Sequence, residues 1–147
     1  MNNADADLAP AAGGFEMLGL LEAAHALEER VEGALDSLGL SMSKYMTLKQ
    51  LTAAGGSMSL SGLAECRKCV RSNITQLVDR LEADGFVERV DDPDDRRAIR
   101  AQVTKLGAER FAAGTAALNT VQADFAGHIP ENDRSNFLKV LSGFSTP

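Results

Sequence analysis

Cysteine is scarce in this chain, two residues in 147, and both fall in the short stretch Cys66-Arg67-Lys68-Cys69. That excludes a scaffold stapled by disulfides. Histidine is equally scarce. His25 and His128 stand far from the cysteines and not at zinc-finger spacing, so the four ligands of a structural zinc site do not assemble. No metal or other cofactor is expected. Long hydrophobic runs are missing as well: nothing approaches the ~20 apolar residues of a membrane span, and no membrane partner is expected. The opening stretch MNNADADLAPAAGG has Asp5 and Asp7 and no basic residue. It lacks the basic start and apolar middle of a secretory signal, so residues 1–14 are read as a flexible arm and the compartment as the cytoplasm. Basic charge is in deficit, with a net charge of -6, which argues against indiscriminate binding to nucleic acid or anionic lipid. There is no phosphate loop, no nucleophile elbow and no pair of carboxylates in an apolar pocket pattern, so no enzyme is expected.

The charge deficit is unevenly spread. Between Ser61 and Lys105 the bases Arg67, Lys68, Arg71, Arg80, Arg89, Arg96, Arg97, Arg100 and Lys105 match nine acids, so the flanks carry the whole imbalance. Within the neutral middle lie two basic knots, Arg67-Lys68-Arg71 and Arg96-Arg97-Arg100. Local charge of this kind matters more to a groove-binding surface than the total.

The apolar pattern gives the organisation. Leu20, Ala24, Leu27, Val31, Ala34, Leu35 and Leu38 recur at helical steps over residues 15–38, and Gly39 suits the stop. Ser43 is expected to cap a second helix, with Tyr45, Leu48 and Leu51 inward. Ser59 or Ser61 begins a short third helix burying Leu63 and Ala64, and a turn around residues 68–70 leads to a fourth, about 71–84. In that helix Ile74, Leu77, Val78 and Leu81 share one face. Two alternating runs, 86–90 and 98–103, flank the Asp-rich DDPDDRR turn and predict a β-hairpin. Thr104 then caps a long helix to about residue 126, and Pro130 opens a last helix to about residue 144. Helix, short helix, turn, helix and hairpin form the order of a winged helix-turn-helix. The expected fold class is therefore mainly α with a small β-hairpin wing, a winged helix-turn-helix over residues 39–104 flanked by dimerisation helices at 15–38 and 105–147.

The fourth helix is apolar on one side and carries Arg71, Ser72, Asn73, Thr75 and Gln76 toward its N-terminal half. These are the side chains that read base edges or hold phosphates. Arg96 and Arg97 at the wing suit a neighbouring minor groove, where the potential is negative.

The block SNITQLVDRLEADGFVERVDDPDDRRAIRAQVTKLG, residues 72–107, resembles the signature of the MarR (multiple antibiotic resistance regulator) family. It has that family's recognition helix, its glycine, its P-x-D-x-R-like wing and its Thr-x-x-Gly. The resemblance implies a homodimer on a pseudo-palindromic double-stranded DNA operator. It places Arg71, Ser72, Asn73, Thr75 and Gln76 at the major groove and Arg97 at the minor groove, with Asp95 holding the Arg97 guanidinium. It also implies a repressor released by a small aromatic or anionic ligand, in a pocket assigned here to His25, Arg30, Met42 and Tyr45. For Tyr45 a core position is the competing reading, and for His25 the polar edge of a dimer helix.

Two further readings stay open. Cys66 and Cys69 beside Arg67, Lys68 and Arg71 suit a redox switch, since cations favour a thiolate; the alternative is that they simply pack in the turn. The net charge and the four-Asp wing would also suit a winged-helix protein-interaction module that no longer binds DNA.

Overall fold

The computed structural model describes residues 16–66 and 71–145. Its elements in order are α1 (Glu16–Asp36), α2 (Met42–Ala53), β1 (Ser57–Ser59), α3 (Leu60–Cys66), α4 (Arg71–Ala83), β2 (Val87–Asp91), β3 (Ile99–Val103), α5 (Lys105–Gly127), a 3-10 turn (Glu131–Asp133) and α6 (Arg134–Ser145). This is a mostly helical winged helix-turn-helix, as the sequence predicts. The arm at residues 1–14 and the turn carrying Cys69 lie outside the described residues.

Three helices end in the same way. After α1, Leu40 N–H reaches Leu35 O and Gly39 N–H reaches Asp36 O. After α2 the corresponding bonds are Gly56 to Leu51 and Gly55 to Thr52, and after α4 they are Phe86 to Leu81 and Gly85 to Glu82. Gly39, Gly55 and Gly85 all adopt positive φ. This paired-bond geometry satisfies the last carbonyls of a helix and turns the chain sharply. It also delivers Leu40 and Phe86 into the core beside Leu35 and Leu81. Because Leu40 completes the first cap, the chain is already extended at Ser41. Ser41 therefore caps α2, accepting from Lys44 N–H, two residues before the expected Ser43. Ser59 Oγ takes the same role for α3, accepting from Gly62 N–H at 3.1 Å.

The sheet has three antiparallel strands in the order β1-β3-β2, one more than the expected hairpin. Met58 and Arg89 flank Ala101 on the central strand, and Ala101 is fully buried. Pro130 opens the 3-10 turn rather than α6 itself. The core gathers Leu35, Leu48, Leu51, Leu63, Ile74, Val78, Leu81 and Val87 from α1 to β2, so α4 is fixed from behind by every neighbouring element of the helix-turn-helix.

Candidate nucleic-acid interface

The inner face of α4 is anchored by Ile74, Val78 and Leu81, all buried, with Leu77 half-buried. The opposite face holds Asn73, Thr75, Gln76 and Arg80, all exposed. Arg71 and Ser72 lie in the first turn of the same helix; their side chains fall outside the described part. Asn73 and Gln76 are one helical turn apart, so their amides emerge on neighbouring parts of one surface.

The far half of α4 is tied to the wing. The Arg89 guanidinium on β2 bonds to the carboxylates of Asp79 and Glu82 on α4, and its backbone N–H donates to Glu82 at 3.2 Å. Burial opposes the charge on Arg89, but the hydrogen bonds from Asp79 and Glu82 outweigh it and raise the pKa. Arg89 has no place among the residues expected from sequence to meet DNA, yet it joins α4 to β2 of the wing. The signal for it in the sequence is the pair Asp79 and Glu82, three residues apart on one helix face.

The wing loop is fastened from within. Asp92 accepts from Asp94 N–H at 2.9 Å and from the Arg100 guanidinium at 3.0 Å. Together these hold its carboxyl below the usual range, the Asp94 N–H contributing most. Arg100 also donates to Ser57 Oγ and to the Ser57 carbonyl, both at 3.1 Å, which is why the short β1 joins the sheet. Asp95 accepts from the backbone N–H of Arg97 at 2.9 Å. It therefore shapes the loop rather than gripping the Arg97 guanidinium, the contact expected for it. The reason is local: an Asp side chain reaches the N–H two residues on without crossing the turn. Arg96 and Arg97 are left exposed at the tip.

The residues expected to line a ligand pocket are not brought together. Tyr45 is buried, its hydroxyl 3.1 Å from Thr115 Oγ1 and its ring against Phe111, which is the core reading. His25 is exposed beside Glu29, and Arg30 pairs with Asp124 across α1 and α5. Met42 lines open space. It sits with Leu27 and Val31 between two adjoining cavities, one of about 520 Å³ along α1 and one of about 340 Å³ reaching Leu118 and Phe125 on α5. Cys66 is an exposed free thiol at the end of α3.

Large apolar side chains remain uncovered on the flanking helices: Met17, Leu18, Leu20 and Leu21 on α1, and Leu138, Val140 and Phe144 on α6. Among the described residues no helix is long and apolar enough to cross a membrane.

The family model described as MarR family matches residues 40–99. The HTH-type transcriptional regulator PrsX of Escherichia coli is 29% identical over 112 residues, covering 76% of this chain and 68% of PrsX. AbsC, a MarR family transcriptional regulator from Streptomyces coelicolor, superposes with a TM-score of 0.74 at 25% identity, covering 88% of each chain. Residues 40–99 form a MarR-family domain. The chain is a transcriptional regulator of the DNA-binding winged helix-turn-helix class. The MarR match begins at the residue that closes the α1 cap and ends on the first residue of β3, so Asn73, Thr75, Gln76, Asp95, Arg96 and Arg97 all fall inside it. The fold likeness extends to the organohalide-sensing regulator RdhR in its 2,4-dichlorophenol-bound form, with a TM-score of 0.77 at 21% identity over 95% of this chain and 86% of that one.

Proposed function

We propose that this protein is a cytoplasmic homodimer that recognises a pseudo-palindromic operator, represses transcription there and lets go when a small molecule binds. The observation that carries the reading is the outer face of α4, where Asn73, Thr75 and Gln76 stand exposed beside a wing whose tip presents Arg96 and Arg97. Side-chain amides pair with adenine edges in a major groove, and arginine suits a narrow minor groove. Asn73 and Gln76 then select sequence, Arg97 supplies affinity and Asp95 holds the loop that aims it. A dimer is supported by the uncovered apolar faces of α1 and α6, the segments assigned to dimerisation at 15–38 and 105–147. Release by a small molecule is supported by the cavities around Met42 and by RdhR, whose structure contains 2,4-dichlorophenol.

Selection of bound fragments from a random DNA pool tests this. A two-fold symmetric consensus is expected, with affinity falling steeply as salt rises because phosphate contacts release counterions. Weak binding without sequence preference would overturn the reading.

A second reading, control by thiol oxidation, is favoured by the exposure of Cys66 at the end of the helix that leads to α4. On this reading peroxide releases DNA reversibly and Cys66→Ser abolishes the response. Unchanged binding with the thiols shown to be modified would dismiss it.

A further inference from the structure

We infer that the small molecule recognised by this protein is a lipophilic cation, held in the trough between α1 and α2. The inference rests on the reading of the chain as a ligand-released regulator and adds the chemistry of the ligand. The floor of the trough is apolar, formed by Leu27, Val31 and Met42, and it continues to Phe125 on α5. One rim carries Glu28 and Glu32, a single helical turn apart on α1. Glu32 is held in place there, because its Oε1 accepts the Met42 N–H at 3.1 Å.

No lysine, arginine or histidine lines either branch of the trough. Three basic side chains of α1 and α2 pair elsewhere: Arg30 with Asp124, Lys44 with Asp84 and His25 with Glu29. Two carboxylates over an apolar floor repel an anion and attract a cation whose body fills the floor. This sets the chain apart from the anionic ligand that its family resemblance implies.

Tetraphenylphosphonium and tetraphenylborate share a shape and differ in charge, so they separate charge from size. Titration of the full-length protein with each, followed by calorimetry, is expected to show the phosphonium bound at least about tenfold tighter, a difference of about 1.4 kcal/mol. Glu28→Gln together with Glu32→Gln is expected to erase most of that preference. Glu28→Gln alone, which leaves the Met42 N–H contact intact, is expected to reduce it. Equal or tighter borate binding, or a preference that survives the double substitution, would overturn the inference. So would the absence of binding by either probe, the result expected if a second copy of the chain fills the trough. The same samples are then tested on the selected operator. Phosphonium binding without any operator binding would sink the regulator reading alone, whereas operator binding without phosphonium binding would sink the cation alone.

Discussion

Gly107 lies so close to the turn before β2 that a Cβ placed on it would stand 1.9 Å from the Phe86 carbonyl oxygen. That carbonyl also accepts the Thr104 N–H at 3.1 Å, while Thr104 Oγ1 bonds to Gly85 O at 2.6 Å and to Gly107 N–H at 3.0 Å. The Thr-x-x-Gly of the sequence is thus a joint that presses the start of α5 onto the end of α4. Gly107→Ala must displace backbone rather than a side chain. It is expected to cost about 3 kcal/mol or more, at or above the usual overpacking range. Gly114→Ala meets side chains rather than backbone, Leu40 Cδ1 at 3.0 Å, Tyr45 Cδ2 at 3.1 Å and Leu35 Cδ2 at 3.4 Å, and should cost about 1–2 kcal/mol. Urea denaturation of both variants checks the order; equal midpoints would show that the Gly107 contact is not tight.

Much of this architecture was legible in the sequence because its punctuation is local. Gly39, Gly85 and Thr104 announce their helix ends through chemistry confined to a few residues. What the sequence hides is whatever depends on a distant partner. Ser41 and Ser43 are equally good caps, and only the Leu40–Leu35 closure decides between them. Ser57–Ser59 has no alternating pattern and becomes a strand because Arg100 holds Ser57. Tyr45 points to the core because Phe111 and Thr115, far along the chain, provide its surroundings. The four residues expected at a pocket lie apart for the same reason: faces on α1 and α2 were legible, but not which of them the packing of α5 would leave open.

Arg89 should matter more for DNA than for folding. Its carboxylate partners are partly exposed, and ion pairs of that kind contribute only about 0–1 kcal/mol. Arg89→Leu is therefore expected to lower stability by about 1 kcal/mol. Operator affinity should fall about tenfold or more, because α4 and the wing lose the bonds that join them. Arg89→Lys should recover little of this, since an ammonium cannot bridge both carboxylates in a planar fork. Quantitative gel shifts beside thermal melts test the claim; a loss of affinity no larger than the loss of stability would defeat it.

Arg97 and Asn73 are expected to fail in different ways. Arg97→Ala should weaken every DNA sequence alike and reduce the salt slope by about one. Asn73→Ala should relax preference at one base position, costing about 1–3 kcal/mol against the best site. Binding profiles of both variants on a mutated operator series separate the two outcomes. Identical profiles would mean that the α4 face does not read bases.

The wing should loosen in acid. The folded-state pKa of Asp92 lies below the ordinary 3.8 because the Asp94 N–H and then Arg100 favour the carboxylate. The unfolded chain therefore takes up the proton first. The stabilisation is complete above the unfolded pKa and is lost as the pH falls through the folded one. Asp92→Asn should thus be less stable than the natural chain at neutral pH. The gap should narrow below about pH 4 and close in stronger acid. Denaturation series at stepped pH test this, and a gap that stays constant would remove Asp92 from the account.

Leu138 and Phe144 on α6 are 64% and 70% exposed in the single chain, an arrangement that makes physical sense only if something covers them. Full burial of one such side chain contributes about 1.5–3 kcal/mol, and a symmetric dimer buries each residue twice, so this face alone can supply much of an association energy. Neither side chain belongs to the buried core, so replacing them should leave the fold of the winged helix intact. Leu138→Glu with Phe144→Glu is therefore expected to give a folded monomer at micromolar concentration by light scattering. Operator affinity should then fall about a hundredfold or more, because each half-site loses the effective concentration that its partner provided. A dimer that survives both substitutions would place the subunit contact away from this face of α6.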